Sequence, residues 1–511
     1  MNRFFDSLVG AGIKGVFDAI SCRHPKLPNI EDGPDDFLYD KGLGMGTLIV
    51  GRQGSGKTAY VAGHRLEYDL RHPSDASWSL DKSGGFTNKY LQAMIMRPEW
   101  PELRKRIRYV RLGDPRYAVP LPMFSPLYGN SYEEQVQRVK EVFKKLAGDA
   151  IRLNPTLFGV MYEGIFPHVL RLATAMAYTR STREPFQITE IRAMIESPGL
   201  MRRAFNKCEN ILDESTKDAL DRHFLNQERR ESEMRSYSLL PIFSDVGAQA
   251  GIAHLGADRP TIIPAEVNRK GLIVLVDGSL MTGQKSLLDI LMSHIYSLVM
   301  EDINARIPHH YSSRVALIID EARAFLKIPA MAEDIGEISQ LYRSRGIQFY
   351  LMMQNPRGQL EENLWKNIWS MGNMVCFGLL DKQDCLDVGL QLTRYNPQMI
   401  KQPALTVTQN PTTEPLHGQD REVADWVSGF NRREMVMRRY YDEAKPDPYI
   451  RHIKQTHNIP MMEDLTKLEE VKDELLRETA QYLTPNHVLG IVKSRVDDLK
   501  PAPPAPKDVN T

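Results

Sequence analysis

A lysine, a threonine, two carboxylates and an amide, each set behind a short apolar run, are the residues of this chain best spaced to do chemistry. The first group is Gly51 to Thr58, GRQGSGKT, directly after Met45-Gly46-Thr47-Leu48-Ile49-Val50. G-x-x-x-x-G-K-T between a β-branched run and a stretch that can continue as a helix is the setting of a phosphate-binding loop. Gly51, Gly54 and Gly56 permit a tight turn that points backbone N–H groups at phosphate oxygens. The helix that starts there adds a favourable dipole. Lys57 is placed to reach β- and γ-phosphates, and the Thr58 hydroxyl to bind Mg²⁺. The phosphate-binding set is Gly51, Gln53, Gly54, Ser55, Gly56, Lys57, Thr58 and Ala59.

Such a loop alone says only nucleotide. The second group is Leu317 to Arg323, LIIDEAR. Acids at the C-terminal end of a buried parallel strand stand at the ligand edge of a sheet. Asp320 is expected to hold Mg²⁺, directly or through water, and Glu321 to polarise an attacking water. Gln354 ends the next apolar run, where an amide can bond both γ-phosphate and water. In Leu341-Tyr342-Arg343-Ser344-Arg345-Gly346, either Arg343 or Arg345 suits a finger reaching a neighbouring subunit's γ-phosphate. Asp81 and Lys82 are weaker candidates for the same edge.

These side chains need strands to carry them. Gly271–Asp277, Arg314–Glu321, Gly346–Gln354 and Asn373–Leu379 read as buried strands, with helical periodicity between them. Strand–helix alternation of this kind means a parallel sheet with helices on both faces. From about residue 131 to 237 the periodicity is helical throughout, an all-α insertion of ordinary domain size. The α/β domain is then split over 41–130 and 238–400. Residues 1–40 hold an amphipathic helix (to residue 24) and a Pro/Asp/Gly-rich linker, 401–500 a mixed, partly helical extension, and 501–511 a disordered tail. Arg104-Lys105-Arg106-Ile107-Arg108 offers a patch for nucleic acid, although a charged helix face entering an edge strand is the plainer reading.

Composition narrows the classes. The 511 residues exceed one ordinary core, and 42% apolar with 25% charged residues is a globular balance. Lys+Arg and Asp+Glu are both 65, so any binding to nucleic acid needs a local patch or an assembled ring. Cys22, Cys208, Cys376 and Cys385 form no C-x-x-C, which suggests reduced, buried thiols in a cytosolic protein. No run approaches the roughly 20 apolar residues of a membrane span, and no signal-peptide pattern opens the chain.

The order GRQGSGKT, helical insertion, LIVLVDGSL, VALIIDEAR, LYRSRGIQFYLMMQN resembles the FtsK–HerA superfamily of hexameric motor ATPases. Within it, the chain is most similar to the type IV secretion coupling proteins, the TraD/TraG-like group, from about Leu43 to Leu390. SLDKSGG, RYAVPLPMFSPLYG and NLWKNIWSMGNMVCFGLLD extend the similarity. The resemblance implies a RecA-like P-loop nucleotide-binding domain with an inserted all-α domain, six copies forming a ring. It implies ATP and Mg²⁺ as cofactors and ATP-driven movement of DNA, with a relaxase or effector protein and secretion-channel components as partners. Lys57 and Thr58 become the P-loop pair, Asp320 and Glu321 the Walker-B pair, Gln354 the sensor, and Arg343 the arginine that fits the motif best. Members of the group usually begin with transmembrane helices and this chain shows none. The expectation is therefore a cytoplasmic protein with peripheral contact at the inner membrane. Two other readings stay open: an adaptor that recruits protein substrates to a secretion channel, and a DNA pump or helicase-like factor in DNA processing or defence.

Overall fold

Near-continuous apolar runs are what strands covered on both faces favour, and such runs make up most of the centre of a ten-stranded sheet. Its strands are β1 (Ile30–Glu31), β2 (Thr47–Val50), β3 (Ala76–Asp81), β4 (Ile107–Arg111) and β5 (Ile273–Asp277). They continue with β6 (Val315–Asp320), β7 (Ile347–Met353), β8 (Asn373–Cys376), β9 (Met435–Arg439) and β10 (Tyr449–Ile453). The spatial order is β1-β10-β9-β8-β2-β7-β6-β3-β5-β4. This computed structural model describes residues 30–31, 46–146, 160–226, 246–326, 343–354, 368, 372–392, 424–439, 449–453, 462 and 465–499. The readings for the helix over 1–24 and the tail 501–511 lie outside these residues.

From β8 across to β4 every pairing is parallel. Residues of β2, β3, β5, β6, β7 and β8 are buried at every position. The register sets the strand ends level: Val50 faces Met353 and Cys376, Ile319 faces Leu351, and Asp81 faces both Asp320 and Asp277. The α/β class read from the sequence is thus the observed one.

Between β4 and β5 the longer elements are all helices: Tyr132–Leu146, Phe166–Thr179, Ile188–Glu196 and Pro198–Cys208, with no strand among the described residues. Val136, Val139 and Phe143 repeat at helical spacing and are buried with Phe166 and Leu170, Phe143 meeting Phe166 edge-on at 5.5 Å. Helix Tyr132–Leu146 packs on helix Lys285–Asn304, where Arg138 pairs with Glu301 and lies over the Tyr128 ring.

Two features differ from the sequence reading. Beyond β8, the antiparallel strands β9 and β10 extend the sheet, although MVMRR and YIRHI look too polar for it. Ile30–Glu31, inside the supposed linker, pairs in parallel with β10. The basic stretch near 104–108 follows its plainer reading, a charged helix end (Trp100–Arg106) entering the edge strand β4, and it is engaged within the chain. Arg104 pairs with Glu474 at 3.1 Å and Glu478 at 2.7 Å. Arg106 donates to the carbonyls of Gly271, Asp69 and Asp75.

The carboxylates facing that stretch come from helix Leu465–Thr479, which lies along the edge strand β4. Thr479 Oγ1 accepts from the Tyr109 N–H at 3.0 Å, capping an edge donor that would otherwise be open to pairing. A further helix, Pro485–Asp497, packs against helices Gln249–Leu255 and Ile188–Glu196. Its Arg495 is 1% exposed, forms an ion pair with the fully buried Glu190 at 2.8 Å, and also pairs with Asp258. Removing one member of a buried ion cluster strands the others, at about 3–5 kcal/mol. Arg495→Ala is therefore expected to destabilise by about that amount, read as a lowered urea midpoint. A change under about 1 kcal/mol would mean that this cluster does not pin the C-terminal helix in solution.

Candidate nucleotide site

The loop Gly51–Gly56 hangs between strand ends. The Gly51 N–H donates to the Met353 carbonyl ending β7 at 3.3 Å, and the Arg52 N–H to the Gly378 carbonyl past β8 at 2.8 Å. A Cβ on Gly51 would stand 2.7 Å from Phe377 Cβ, so the close approach demands glycine. Gly56 takes φ 112° and caps helix Lys57–Arg71 without a side chain. The N–H groups of Lys57, Thr58 and Ala59 then have no partner within the helix, and no acidic side chain occupies that first turn. The Ser55 hydroxyl is buried with no hydrogen-bond partner among the described residues. A row of uncapped donors around a buried cation is an anion cradle, and the residues present fit a polyphosphate.

Lys57 folds back over this cradle: Nζ donates to the Gly51 carbonyl at 2.6 Å and the Arg52 carbonyl at 3.1 Å. Burial lowers its pKa to about 8, while Asp320, Cys376 and Glu321 pull it upward. Asp320, ending β6, shows the complementary displacement. Burial first, and then the neighbouring Asp81 carboxylate, push it up to about 7. The Glu321 N–H, which donates to Asp320 Oδ1 at 2.9 Å, and the Lys57 charge pull it down. Glu321 holds left-handed backbone at φ 52°, a strained state for a residue with a side chain. That turn leaves its carboxylate exposed. Gln354 is exposed at the end of β7, between the loop strand and β6. Thr58 is half-buried in the first helical turn. The P-loop and Walker-B residues and Gln354 thus share one sheet edge.

The weaker candidates have local work. Asp81 accepts from the N–H groups of Ser83, Gly84 and Thr87 and so anchors the start of helix Gly85–Ile95. Lys82 pairs with Asp289 and lies 4.6 Å over the Phe325 ring. Asp277, one strand further on, accepts from the Tyr109 hydroxyl at 2.7 Å.

Arg343 and Arg345 sit elsewhere. They form a single 3-10 turn before β7, so its 7 residues separate them from Gln354. At 3.3 Å per residue that is roughly 23 Å, far beyond an arginine's reach to its own chain's Lys57. Arg345 donates to the Asn304 carbonyl, closing the end of helix Lys285–Asn304.

Two supports were not read from the sequence. Arg65, in the loop helix, is buried and donates to both Asp69 oxygens and to Gln348 Oε1 on β7. Gln348 in turn donates to the Tyr68 hydroxyl, which donates to Asp75. The second is a corner before β9, where the Arg433 N–H donates to the Ser55 carbonyl and Arg52 Nη2 to the Phe430 carbonyl, each at 2.8 Å. No local motif marks either one.

Comparison with solved structures yields the unbound monoclinic form of the bacterial conjugative coupling protein TrwBdeltaN70. It matches at 15% identity and TM-score 0.50, over 82% of this chain and 86% of the other. The fold is that of TrwB. TrwB in complex with the non-hydrolysable ATP analogue ADPNP matches at 14% identity and TM-score 0.50, again over 82% and 86%. The trigonal TrwB form in complex with sulphate matches at 13% identity and TM-score 0.50, over 83% and 87%. No protein-family model matches the chain, and no curated protein sequence does. As to membranes, no helix among the described residues is long and apolar enough to cross one.

The Asp320 displacement has a measurable sign. Its folded value, about 7, lies above the ordinary 3.8. The folded state therefore holds the proton more tightly, and stability falls as pH rises from about 4 through 7. The full cost above pH 7 is about 4–5 kcal/mol at most, from about 1.4 kcal/mol per pH unit. Asp320→Asn is expected to raise the urea midpoint of the nucleotide-free protein at pH 8 and to lose most of that gain by pH 5. A pH-independent difference would show that the carboxylate is not buried beside Asp81.

Proposed function

We propose that the protein is an ATP-hydrolysing motor of the FtsK–HerA superfamily, of the coupling type used in conjugation and type IV secretion. It acts as a homo-hexamer that moves DNA with attached or recruited protein. The observation that carries this reading is the meeting of Lys57, Asp320, Glu321 and Gln354 at the C-terminal ends of β2, β6 and β7. The fold around them is shared with TrwB, which has been captured with an ATP analogue.

In this reading the N–H groups from Gly54 to Ala59 and the Lys57 ammonium bind the phosphates of ATP. The two carbonyls that Lys57 now contacts give way to phosphate oxygens. Thr58 and Asp320 hold Mg²⁺, which suits an ion usually bound by one or two protein oxygens and phosphate. When bound, Mg²⁺ neutralises phosphate charge. Glu321, exposed and aimed by its left-handed turn, orients the attacking water and accepts its proton. Gln354 senses the γ-phosphate from the adjoining strand. Arg343, on the opposite sheet edge, serves the site of the next subunit, where a finger is worth roughly 10³–10⁵ in rate. Relaxase or effector cargo and secretion-channel components are the partners proposed, and the site of action is the cytoplasm beside the inner membrane.

Glu321→Gln should bind ATP as wild type does and hydrolyse it about 10²–10⁴ times more slowly in a phosphate-release assay. Turnover near wild type would remove Glu321 from the base role. Adding DNA should stimulate wild-type hydrolysis, and a flat, slow rate would favour an adaptor. Mixing Arg343→Ala with wild-type subunits should depress activity out of proportion to the variant fraction. A strictly proportional loss would sink the trans-acting role.

A further inference from the structure

The corner Phe430–Glu434 is pressed onto the phosphate-binding loop. Besides the Arg433 N–H bond to Ser55, a Cβ on Gly56 would stand 3.2 Å from Arg433 Cγ and 3.6 Å from its Cα. Arg433 holds left-handed backbone at φ 69°, a state kept only where the surroundings over-determine it. Here they do: the Asn431 N–H and side-chain amide both donate to Glu434 Oε2, at 2.8 and 2.9 Å. The Arg433 side chain is half-buried, and its guanidinium has no hydrogen bond or ion pair among the described residues. Its Cγ lies against the anion cradle, and with no partner for the guanidinium among the described residues the side chain is placed for an anion that arrives later.

The sheet order says which part of that anion. The corner approaches from the β8–β9 side of β2, whereas Asp320, Glu321 and Gln354 end β6 and β7 on its other side. A nucleotide whose γ-phosphate faces the acids extends its α-phosphate and nucleoside toward β8 and β9. We propose that Arg433 binds the α-phosphate of the nucleotide in its own subunit. This rests on the ATP reading above and adds a same-chain arginine to the trans-acting one. The α-phosphate is common to ATP and ADP and does not react, so the contact is equal in ground and transition states. Such contacts change KM and leave kcat alone.

The test uses the full chain with ATP and ADP titrations and steady-state hydrolysis. Arg433→Asn keeps a residue that tolerates the left-handed backbone, and Arg433→Lys keeps the charge. Loss of a charge-assisted bond predicts roughly tenfold or greater weakening of both nucleotides in Arg433→Asn, with a matching rise in KM. Its kcat should stay within about twofold of wild type, and Arg433→Lys should recover most of the affinity. Wild-type affinity in Arg433→Asn overturns the proposal. So does a fall in kcat at unchanged KM, or an equal loss in the two variants. If wild type itself binds neither nucleotide, the ATP reading fails first, and the Arg433 role with it. Should Arg433→Asn not fold, Arg433→Gly keeps the backbone geometry and the same outcomes apply.

Discussion

Two opposite charges buried in one crevice set the terms for the rest of the structure. Lys57 and Asp320 are each displaced toward neutrality by desolvation, and each is drawn back by the other. Keeping them there takes rigid walls. Asp81 cannot turn away from Asp320, because backbone donors hold it in place. The loop cannot sag, because the Met353 and Gly378 carbonyls suspend it. The loop helix cannot roll, because Arg65 ties it to Gln348 on β7. A cradle built this way is organised before its ligand arrives, which lowers the ordering cost of binding and of charge development.

The division between what was legible in the sequence and what was not follows the range of the interactions. β6 and the phosphate-binding loop were legible because their signals are local: an apolar run ending in acids, and glycines spaced for a turn. β3 was only half legible, since Ser77 and Ser79 interrupt its apolar pattern yet are 1% exposed. β9 and β10 were hidden because their registers are dictated by neighbouring strands, β8 for β9 and β9 for β10, not by their own composition. The basic stretch left a nucleic-acid reading open beside the plainer one because its partners, Glu474 and Glu478, lie 370 and 374 residues away. Residue type alone did not separate Arg343 from Arg345, the resemblance favoured Arg343, and the helix end at Asn304 engages Arg345.

The two edges of the sheet carry complementary halves of the proposed chemistry. One gathers the phosphate cradle and its acids, and the other presents the turn containing Arg343. A subunit with donor and acceptor on opposite edges is suited to head-to-tail contacts, which close into a ring when the rotation permits. On that reading, the helix Leu465–Thr479 along β4 has a second value. It closes a sheet edge that would otherwise compete for strand pairing with other chains.

The strand that carries the phosphate-binding loop is made early and completed late. β2 has β7 on one side and β8 on the other, and both follow the whole helical block. Arg65 meets Gln348 only 283 residues further along the chain. At roughly 5–20 residues per second, on the order of 15–60 s of synthesis separates the emergence of those two partners. Through that interval Leu48, Ile49 and Val50 have neither sheet neighbour. The nascent chain therefore carries an unpaired apolar strand for most of its translation, and the segment that will bind phosphate is the one most in need of shelter on the ribosome.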